Sequence, residues 1–276
     1  EDLKSFEGNM GLGHNRYPTG GLITRKEIQP FSILKPYGIS LVHNGNIINK
    51  DFLENFLYKN NIFLNSTSDS EIILNLFYYF IEKDFNKLDN MNIINCVKKI
   101  YELCEGSFSI IIMIRDFGLI SFRDKYGIRP LVYNLNKNNI IISSETCSFN
   151  ENSKYNNIEN GEMIIVDMNL NLKKYRLFND ELKPCIFEYI YFSSQESYIN
   201  DILVYNFREK VGQKMANIIK SSINSKLIED VDIIVPIPLT SIISANIISD
   251  ILNKPLKYAV IKNRYTYRTF INNGKD

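Results

Sequence analysis

The sequence is 276 residues long and 45% hydrophobic, which is enough apolar material for two domains with separate cores. Its 32 basic and 31 acidic residues leave a formal charge of +1, and this balance excludes a general attraction to nucleic acid or to an anionic membrane. The apolar runs are shorter than the roughly 20 residues of a membrane-spanning helix, and the four widely spaced cysteines fit no disulfide or zinc pattern. These features predict a reduced, cytoplasmic chain.

The first 180 residues predict a layered α+β domain with a mainly antiparallel sheet. An apolar strand at 38–46 runs into the dipeptide Asn44-Gly45, which is typical of a tight turn. Helical periodicity and a Ser68/Glu71 capping box predict helices at 49–60, 67–83 and 91–104. Short strands are expected after the helices, at 107–115, 118–124, 138–145, 162–168 and 172–178.

The pattern changes near residue 180, where we predict the domain boundary, with domains at 1–180 and 181–276. The second part alternates predicted strands and helices, an order that is typical of βαβ units and a parallel sheet. The strands are expected at 186–192, 230–238 and 257–263, and the helices at 203–222 and 240–252.

The chain has only two histidines, His14 and His43, and both precede glycine-containing turns. No third cysteine, histidine or carboxylate lies at a metal-ligand spacing, so core or turn histidines are favoured over a catalytic metal site.

Three further positions suggest a binding site for an amino acid. Arg16 lies at the end of a short strand before a Tyr-Pro-Thr-Gly-Gly loop, and its guanidinium suits a carboxylate, although a surface arginine fits equally well. Asn44 and Gly45 form either the turn of a β-hairpin or an oxyanion hole. Asp69 either caps its helix or binds a substrate ammonium group. Together these groups would recognise an amino acid that undergoes acyl transfer.

The segments "GNMGLGHNRYPTGG", "PYGISLVHNGN", "TSDSEIILNLF" and "FRDKYGIRPL" resemble the glutaminase domain of the amidophosphoribosyltransferase family. "CIFEYIYF", "VPIP" and "KNRYTYRTFI" resemble that family's passage into its phosphoribosyltransferase domain. The resemblance implies an αββα domain of the N-terminal nucleophile hydrolase type, followed by a partial type I phosphoribosyltransferase α/β domain. It also implies release of ammonia from glutamine and its transfer to phosphoribosylpyrophosphate, which is the first step of de novo purine synthesis.

By this resemblance, Arg16 would hold the glutamine carboxylate, and Thr19 and Gly20 would belong to the loop that closes over glutamine. Asp69 would bind the amino group of glutamine, and Asn44 with Gly45 would bind the oxyanion.

The family's nucleophile is a cysteine at the mature N-terminus, whose α-amino group serves as the base. This sequence begins with Glu1, so we expect it to be a fragment that lacks the nucleophile segment and the C-terminal part, and to be inactive as a glutaminase by itself.

In the second domain, the resemblance makes Lys262, Arg264 and Arg268 part of a loop that closes over phosphoribosylpyrophosphate. Thr240 would be a Mg²⁺-associated position in the pyrophosphate loop, although Leu239 stands where an acidic residue is expected, and an N-cap role suits Thr240 as well. Cys185 matches an iron–sulfur ligand in one branch of the family, and whether a 4Fe-4S cluster is present stays open. The family is oligomeric, which implies a homo-oligomer such as a tetramer.

Two alternatives stay open. One is a different class II glutamine amidotransferase, against which the βαβ half argues. The other is a non-catalytic or divergent paralogue, which the residues at Leu239 and Tyr267 keep in consideration.

Overall fold

The computed structural model describes residues 7–15, 25–85, 88–150, 153–222 and 228–263. The chain divides into two compact units, of which the first comprises Glu1–Ser144 with Asn152–Pro184 and the second Glu145–Glu151 with Cys185–Asp276. The predicted boundary at 180 lies four residues before the end of the first unit, and the short segment 145–151 belongs to the second unit rather than the first.

The first unit contains a six-stranded antiparallel sheet with three helices packed on one face. Its elements are β1 (Phe31–Ile33), β2 (Ile39–Ile47), α1 (Lys50–Lys59), α2 (Asp69–Phe80), α3 (Asn90–Leu103), β3 (Gly106–Ile114), β4 (Gly118–Arg123), β5 (Val132–Leu135), β6 (Ile140–Ser143), β7 (Asn156–Asn157), β8 (Glu162–Asp167) and β9 (Leu172–Arg176). The strand order in the large sheet is β1-β2-β3-β4-β8-β9, and β6-β5-β7 form a smaller antiparallel sheet. A short helical turn occurs at Arg25–Glu27, and Ile81–Phe85 extends α2 as a π-helix; a further short turn at Thr146–Ser148 belongs to the second unit.

Two apolar cores lie on opposite faces of the large sheet. On the helix side, residues such as Leu57, Phe77 and Ile100 pack on Leu41 and Ile112, all of them essentially inaccessible. Each side chain of this size contributes about 1.5–3 kcal/mol when fully buried. The other core joins the large sheet to the small one, so the described part of this unit has a helix layer and two sheet layers. The predicted helices and the five predicted strands of this half are therefore confirmed, within a few residues at their ends.

The predicted turn at Asn44-Gly45 is wrong, because both residues lie within β2. Asn44 pairs with Ser109 and Gly45 with Phe108 in a continuous nine-residue ladder with β3. Gly45 is required there for a different reason: a Cβ at this position would lie 2.0 Å from the carbonyl oxygen of Ser107. The glycine therefore permits close packing of two neighbouring strands and does not form a turn.

The second unit contains the helices α4 (Val204–Ser222) and α5 (Ile242–Leu252), which confirms the two helices predicted there. A two-stranded hairpin, β10 (Tyr198–Ile199) with β11 (Ile202–Leu203), precedes α4. A parallel bridge joins Ile234 to Leu256 on either side of α5, so the chain makes a βαβ-type crossover there.

None of the three strands predicted in this unit forms a regular strand. The segment predicted as a strand at 257–263 has no regular secondary structure, and only the preceding Leu256 makes the isolated bridge to Ile234. The segment predicted as a strand at 186–192 is helical, with a π-helix at Glu188–Phe192, because the carbonyls of Tyr189 and Ser193 accept hydrogen bonds from the buried Arg208 of α4. A short aromatic run has no periodicity that separates a strand from a buried helix. The segment 230–238 is half-exposed rather than fully buried, and its two prolines, Pro236 and Pro238, cannot donate to a ladder.

Candidate functional site

The candidate site lies at the outer edge of β2, beyond the end of β1. The β1 strand pairs with β2 only through Phe31, Ser32 and Ile33, which face Leu41, Ser40 and Ile39. From His43 to Ile47, no described strand pairs with this edge of β2, and side chains bind its backbone groups instead. Backbone groups of β2 are therefore available to hold polar side chains, and two of the residues predicted to bind glutamine, Gly45 and Asp69, lie along this edge.

Gln29 occupies the first part of this edge. Its side-chain oxygen accepts a hydrogen bond from the His43 N–H at 2.7 Å, and its side-chain nitrogen donates to the His43 carbonyl at 3.2 Å. The ring Nε2 of His14 also lies 3.1 Å from this carbonyl. The two histidines therefore meet through a backbone carbonyl, and the described residues contain no cluster of three potential metal-ligating side chains.

Asp69 occupies the far part of the same edge. It is the first residue of α2, and it is placed there because Ser68 begins the helix, with its hydroxyl accepting from the Ser70 N–H at 3.3 Å. The Asp69 Oδ2 atom accepts a hydrogen bond from the Ile47 N–H at 3.1 Å. A helix N-terminus and a strand edge thus fix one carboxylate oxygen, and the other oxygen, Oδ1, lies 3.6 Å from the Nδ1 atom of His43.

The segment that leads into α2 is held by buried carboxylates. Glu71, which is 6% exposed, accepts hydrogen bonds from the backbone and side chains of Asn65 and Ser66, at 2.6–3.3 Å. The capping box predicted from Ser68 and Glu71 is therefore only half formed, since Ser68 caps the helix but Glu71 binds the preceding loop. Glu27, 3% exposed, accepts from the N–H and hydroxyl of Thr67. These bonds fix the position of Asp69.

The electrostatics keep Asp69 charged. Burial raises the pKa of its carboxyl, but the contact and charge of His43 and the hydrogen bond from Ile47 act in the opposite direction. The charge of Lys50 lowers it further, and the net pKa lies below the usual value for aspartate. A partly buried carboxylate that is held ionised in this way suits a cationic ligand group.

Gly45 lies between the two ends of this edge. The N–H groups of His43 and Ile47 both point away from β3, towards Gln29 and Asp69, and alternation along a strand directs the Gly45 N–H the same way. The Asn44 side chain leaves β2 on the opposite face from His43, and its amide donates to the Ser144 hydroxyl at 3.4 Å. The structure therefore places Asp69 and the Gly45 backbone on the same strand edge. Asn44 precedes Gly45 in β2, and its side chain lies on the face of the sheet opposite to that of His43.

Arg16, Thr19 and Gly20 lie outside the described residues, so their predicted roles stay predictions. The same holds for Arg264 and Arg268 in the second unit, whereas Lys262 is described and exposed. Thr240 is half-buried in the turn before α5, but the N-cap residue of that helix is Ser241. Mg²⁺ is usually bound by one or two carboxylates together with substrate phosphates, and one hydroxyl beside the exposed Leu239 does not form such a donor set.

The four cysteines of the chain are all described and form no disulfide. Cys96 and Cys104 are buried, Cys185 is half-buried and Cys147 is exposed. Burial, together with the charge of Asp69, raises the pKa of the Cys104 thiol to about 12. A thiol in this state does not ionise near neutral pH, so Cys104 does not act as the nucleophile of the site.

The motif "FRDKYGIRPL" has a structural role in the fold. Arg123 is 1% exposed, and its guanidinium donates to the carbonyls of Gly127, Arg129 and Ile158. Asp124, also 1% exposed, accepts from backbone N–H groups that include that of Phe108 on β3. These two residues fix the loop that follows β4.

Comparison with known proteins assigns the family. Residues 14–151, half of the chain, match the family described as a glutamine amidotransferase domain. The chain belongs to the glutamine amidotransferase family. The chain is 34% identical to the amidophosphoribosyltransferase of Saccharomyces cerevisiae, over 98% of the chain and 55% of the relative. It is 35% identical to that of Escherichia coli, over 99% of the chain and 55% of the relative.

Solved structures agree with the sequence relatives. The glutamine phosphoribosylpyrophosphate amidotransferase of B. subtilis, solved with ADP and GMP, matches with a TM-score of 0.76 at 27% identity, covering 95% of this chain and 54% of that one. A structure described as the allosteric regulatory enzyme of purine biosynthesis matches with a TM-score of 0.77, also at 27% identity, over the same shares of the two chains. The resemblance to amidophosphoribosyltransferases and the predicted fold class are confirmed. The chain spans about 55% of the length of these two sequence relatives.

Sequence reasoning missed three members of the site. His43 and Gln29 were not assigned to the site. The third member, the Ile47 N–H, is a backbone group that no pattern of side chains in the sequence indicates. Gln29 and His43 can be read from the sequence, but only the fold places Gln29 and Asp69 along the same strand edge. Among the described residues, no helix is long and apolar enough to cross a membrane.

Proposed function

We propose that the protein carrying this chain is a glutamine-dependent phosphoribosyl amidotransferase. Its first unit would release ammonia from glutamine, and its second unit would contribute to a site where ammonia displaces pyrophosphate from phosphoribosylpyrophosphate. The product would be 5-phosphoribosylamine, made in the first step of de novo purine synthesis. The observation that supports this most is the charged Asp69, fixed by the Ile47 N–H beside Gly45 in a chain that matches amidophosphoribosyltransferases over nearly its whole length.

In the glutaminase half, Asp69 would bind the α-ammonium group of glutamine and Arg16 its α-carboxylate, with Thr19 and Gly20 in the closing loop. The Gly45 N–H and the Asn44 amide would stabilise the oxyanion that forms when the glutamine amide is attacked. The hydrogen bond from Asn44 to Ser144 is 3.4 Å long and neutral, so a charged oxyanion could replace Ser144 as its acceptor. Glutamate and ammonia would be the products of this half.

In the second half, Lys262, Arg264 and Arg268 would contact the anionic phosphoribosylpyrophosphate. A role for Mg²⁺ with Thr240, a homo-oligomeric state and a cytoplasmic location stay predictions of the resemblance. A 4Fe-4S cluster stays open, since Cys185 is the one cysteine here that matches a ligand position.

The test uses the complete protein and measures the release of glutamate and of pyrophosphate in parallel. We expect glutamate release from glutamine, and pyrophosphate release that requires phosphoribosylpyrophosphate and either glutamine or ammonia. Glutamate release together with amination of a different acceptor would favour another class II amidotransferase. A well-folded protein that releases neither product would favour a non-catalytic paralogue.

Arg16→Ala separates the two halves. We expect the KM for glutamine to rise by tenfold or more, since a charge-assisted bidentate contact is lost, at a cost of about 1.5–3 kcal/mol. Ammonia-dependent pyrophosphate release does not need the glutamine carboxylate and should change by less than about twofold, which is within the measured effect of most surface substitutions. An equal loss with glutamine and with ammonia would refute the role assigned to Arg16.

A further inference from the structure

The imidazole of His43 is buried against the residues that form the glutamine site. It is 3% exposed, and its Nδ1 atom lies 3.3 Å from the Ser70 hydroxyl oxygen and 3.6 Å from Asp69 Oδ1. The first distance is within hydrogen-bond reach, and the second is a close electrostatic contact. The ring thus faces the carboxylate oxygen that the Ile47 N–H does not hold.

The surroundings of the ring indicate which nitrogen carries the proton. Nδ1 faces an ionised carboxylate, which only accepts, whereas Nε2 has no hydrogen-bond partner among the described residues. A proton on Nδ1 therefore satisfies the carboxylate, and this geometry makes Nδ1 the nitrogen that donates towards Asp69. Nε2 is next to Gly45, where a Cβ would approach it to 2.6 Å.

The backbone of His43 is fixed as firmly as its ring. Gln29 binds both its N–H and its carbonyl, and His14 contacts the same carbonyl. These bonds fix the backbone of His43, and the buried ring packs against Gly45, where an added Cβ would lie 2.6 Å from its Nε2. His43 therefore presents its Nδ1–H at a constant position.

We propose that His43 is a positioning residue for glutamine recognition, whose Nδ1–H orients the Asp69 carboxylate so that its free lone pairs meet the α-ammonium of glutamine. This inference rests on the proposed function, because it assumes that Asp69 binds that ammonium group. His43 touches neither substrate nor reacting atoms and acts through Asp69 alone.

Two substitutions of His43 test the contributions of the two ring nitrogens separately. Asparagine places its amide nitrogen near the position of Nδ1, so His43→Asn keeps the donor towards Asp69. Glutamine is one carbon longer and places its amide near Nε2, so His43→Gln loses that donor at a similar volume. We expect His43→Gln to raise the KM for glutamine about tenfold, since a close polar contact with a charged, partly buried carboxylate is lost, and His43→Asn to raise it less than about threefold.

A second substrate identifies the group on which His43 acts. Glutaramate is glutamine without its α-amino group and has no ammonium for Asp69 to bind. The ratio of kcat/KM for glutamine to that for glutaramate should fall about tenfold in His43→Gln, whereas a general loss of structure would lower both values and leave the ratio unchanged. Unfolding midpoints of both variants measure the structural effect separately.

Ser70→Ala is the matched control, because Ser70 is the other group that faces Nδ1. It should leave both the KM and the substrate ratio within about twofold of the wild type, as expected when no charged contact is lost. An equal effect of His43→Asn and His43→Gln, an unchanged substrate ratio in His43→Gln, or a Ser70→Ala effect as large as that of His43→Gln would each overturn the proposal. Asp69→Asn tests the proposed function of the site separately from the role of His43. If Asp69→Asn leaves the KM for glutamine unchanged, the proposed function of the site fails. If Asp69→Asn raises this KM but His43→Gln does not, only the role of His43 is refuted.

Discussion

Gly45→Ala perturbs the close approach of β2 and β3 and therefore tests the central geometry of the site. The added Cβ would lie 2.0 Å from the Ser107 carbonyl oxygen and 2.6 Å from His43 Nε2. Non-bonded heavy atoms are most stable at about 3.5–4 Å, so the two strands must separate by more than about 1 Å. Overpacking of this kind costs about 1–3 kcal/mol, and the contact here is with backbone that cannot rotate away.

The expected result is a fall of about 2–12 °C in the unfolding temperature, since a cost of about 1–3 kcal/mol corresponds to about 2–4 °C per kcal/mol for a unit of this size. Differential scanning calorimetry of the complete protein measures it. Glutamate release should also fall about 100-fold or more, since the Gly45 N–H moves from its position at the strand edge.

Gly13→Ala is the matched control for stability, because no atom lies within 4 Å of a Cβ built on Gly13. Its unfolding temperature should stay within about 1–2 °C of the wild type, as for most exposed substitutions. If Gly45→Ala unfolds at the same temperature as Gly13→Ala, then β2 and β3 are not in the close contact described here, and the account of Gly45 is refuted.

Two further predictions concern ionisable groups near the site. Because the pKa of Asp69 is lowered in the folded state, its carboxylate stabilises the protein above the unfolded-state pKa, and this contribution is lost as the pH falls through the lowered value. Asp69→Asn should therefore unfold at a lower temperature than the wild type at pH 7, with the difference shrinking towards pH 3; a constant difference would contradict this. For Cys104, with a pKa of about 12, we expect no alkylation by iodoacetamide at pH 8 in the folded protein, while the exposed Cys147 reacts. Mass spectrometry locates the label, and labelling of Cys104 before Cys147 would show the burial to be wrong.

The sequence predicts most of the first unit because its local signals agree with its long-range packing. The helices α1 and α3 each bury one apolar face, α2 is buried around most of its circumference, and β3 and β4 begin at glycines with positive φ. The Asn44-Gly45 signal failed because the same dipeptide preference fits a turn and a close strand contact. Only the pairing of Gly45 with Phe108 distinguishes them.

The candidate site was only partly predictable for a similar reason. Asp69 and Asn44 stand in motifs whose chemistry is visible along the chain. Gln29 and His43 act over 14 residues of separation, and Asp69 reaches Ile47 over 22, so their roles depend on register and strand order rather than on composition. In the second unit, the segments 186–192 and 230–238 carry apolar runs whose state is decided by Arg208 and by proline positions instead of by periodicity.

The outer edge of β2 also has a consequence for solubility. An apolar strand with unpaired backbone groups is a template for addition of a strand from another molecule, and β1 covers only the first third of β2. Gln29 and Asp69 bind the backbone groups that such an incoming strand would need. The side chains that shape the ligand site thus also protect the sheet from edge-to-edge association, and selection against aggregation would retain them even in a relative that had lost its chemistry.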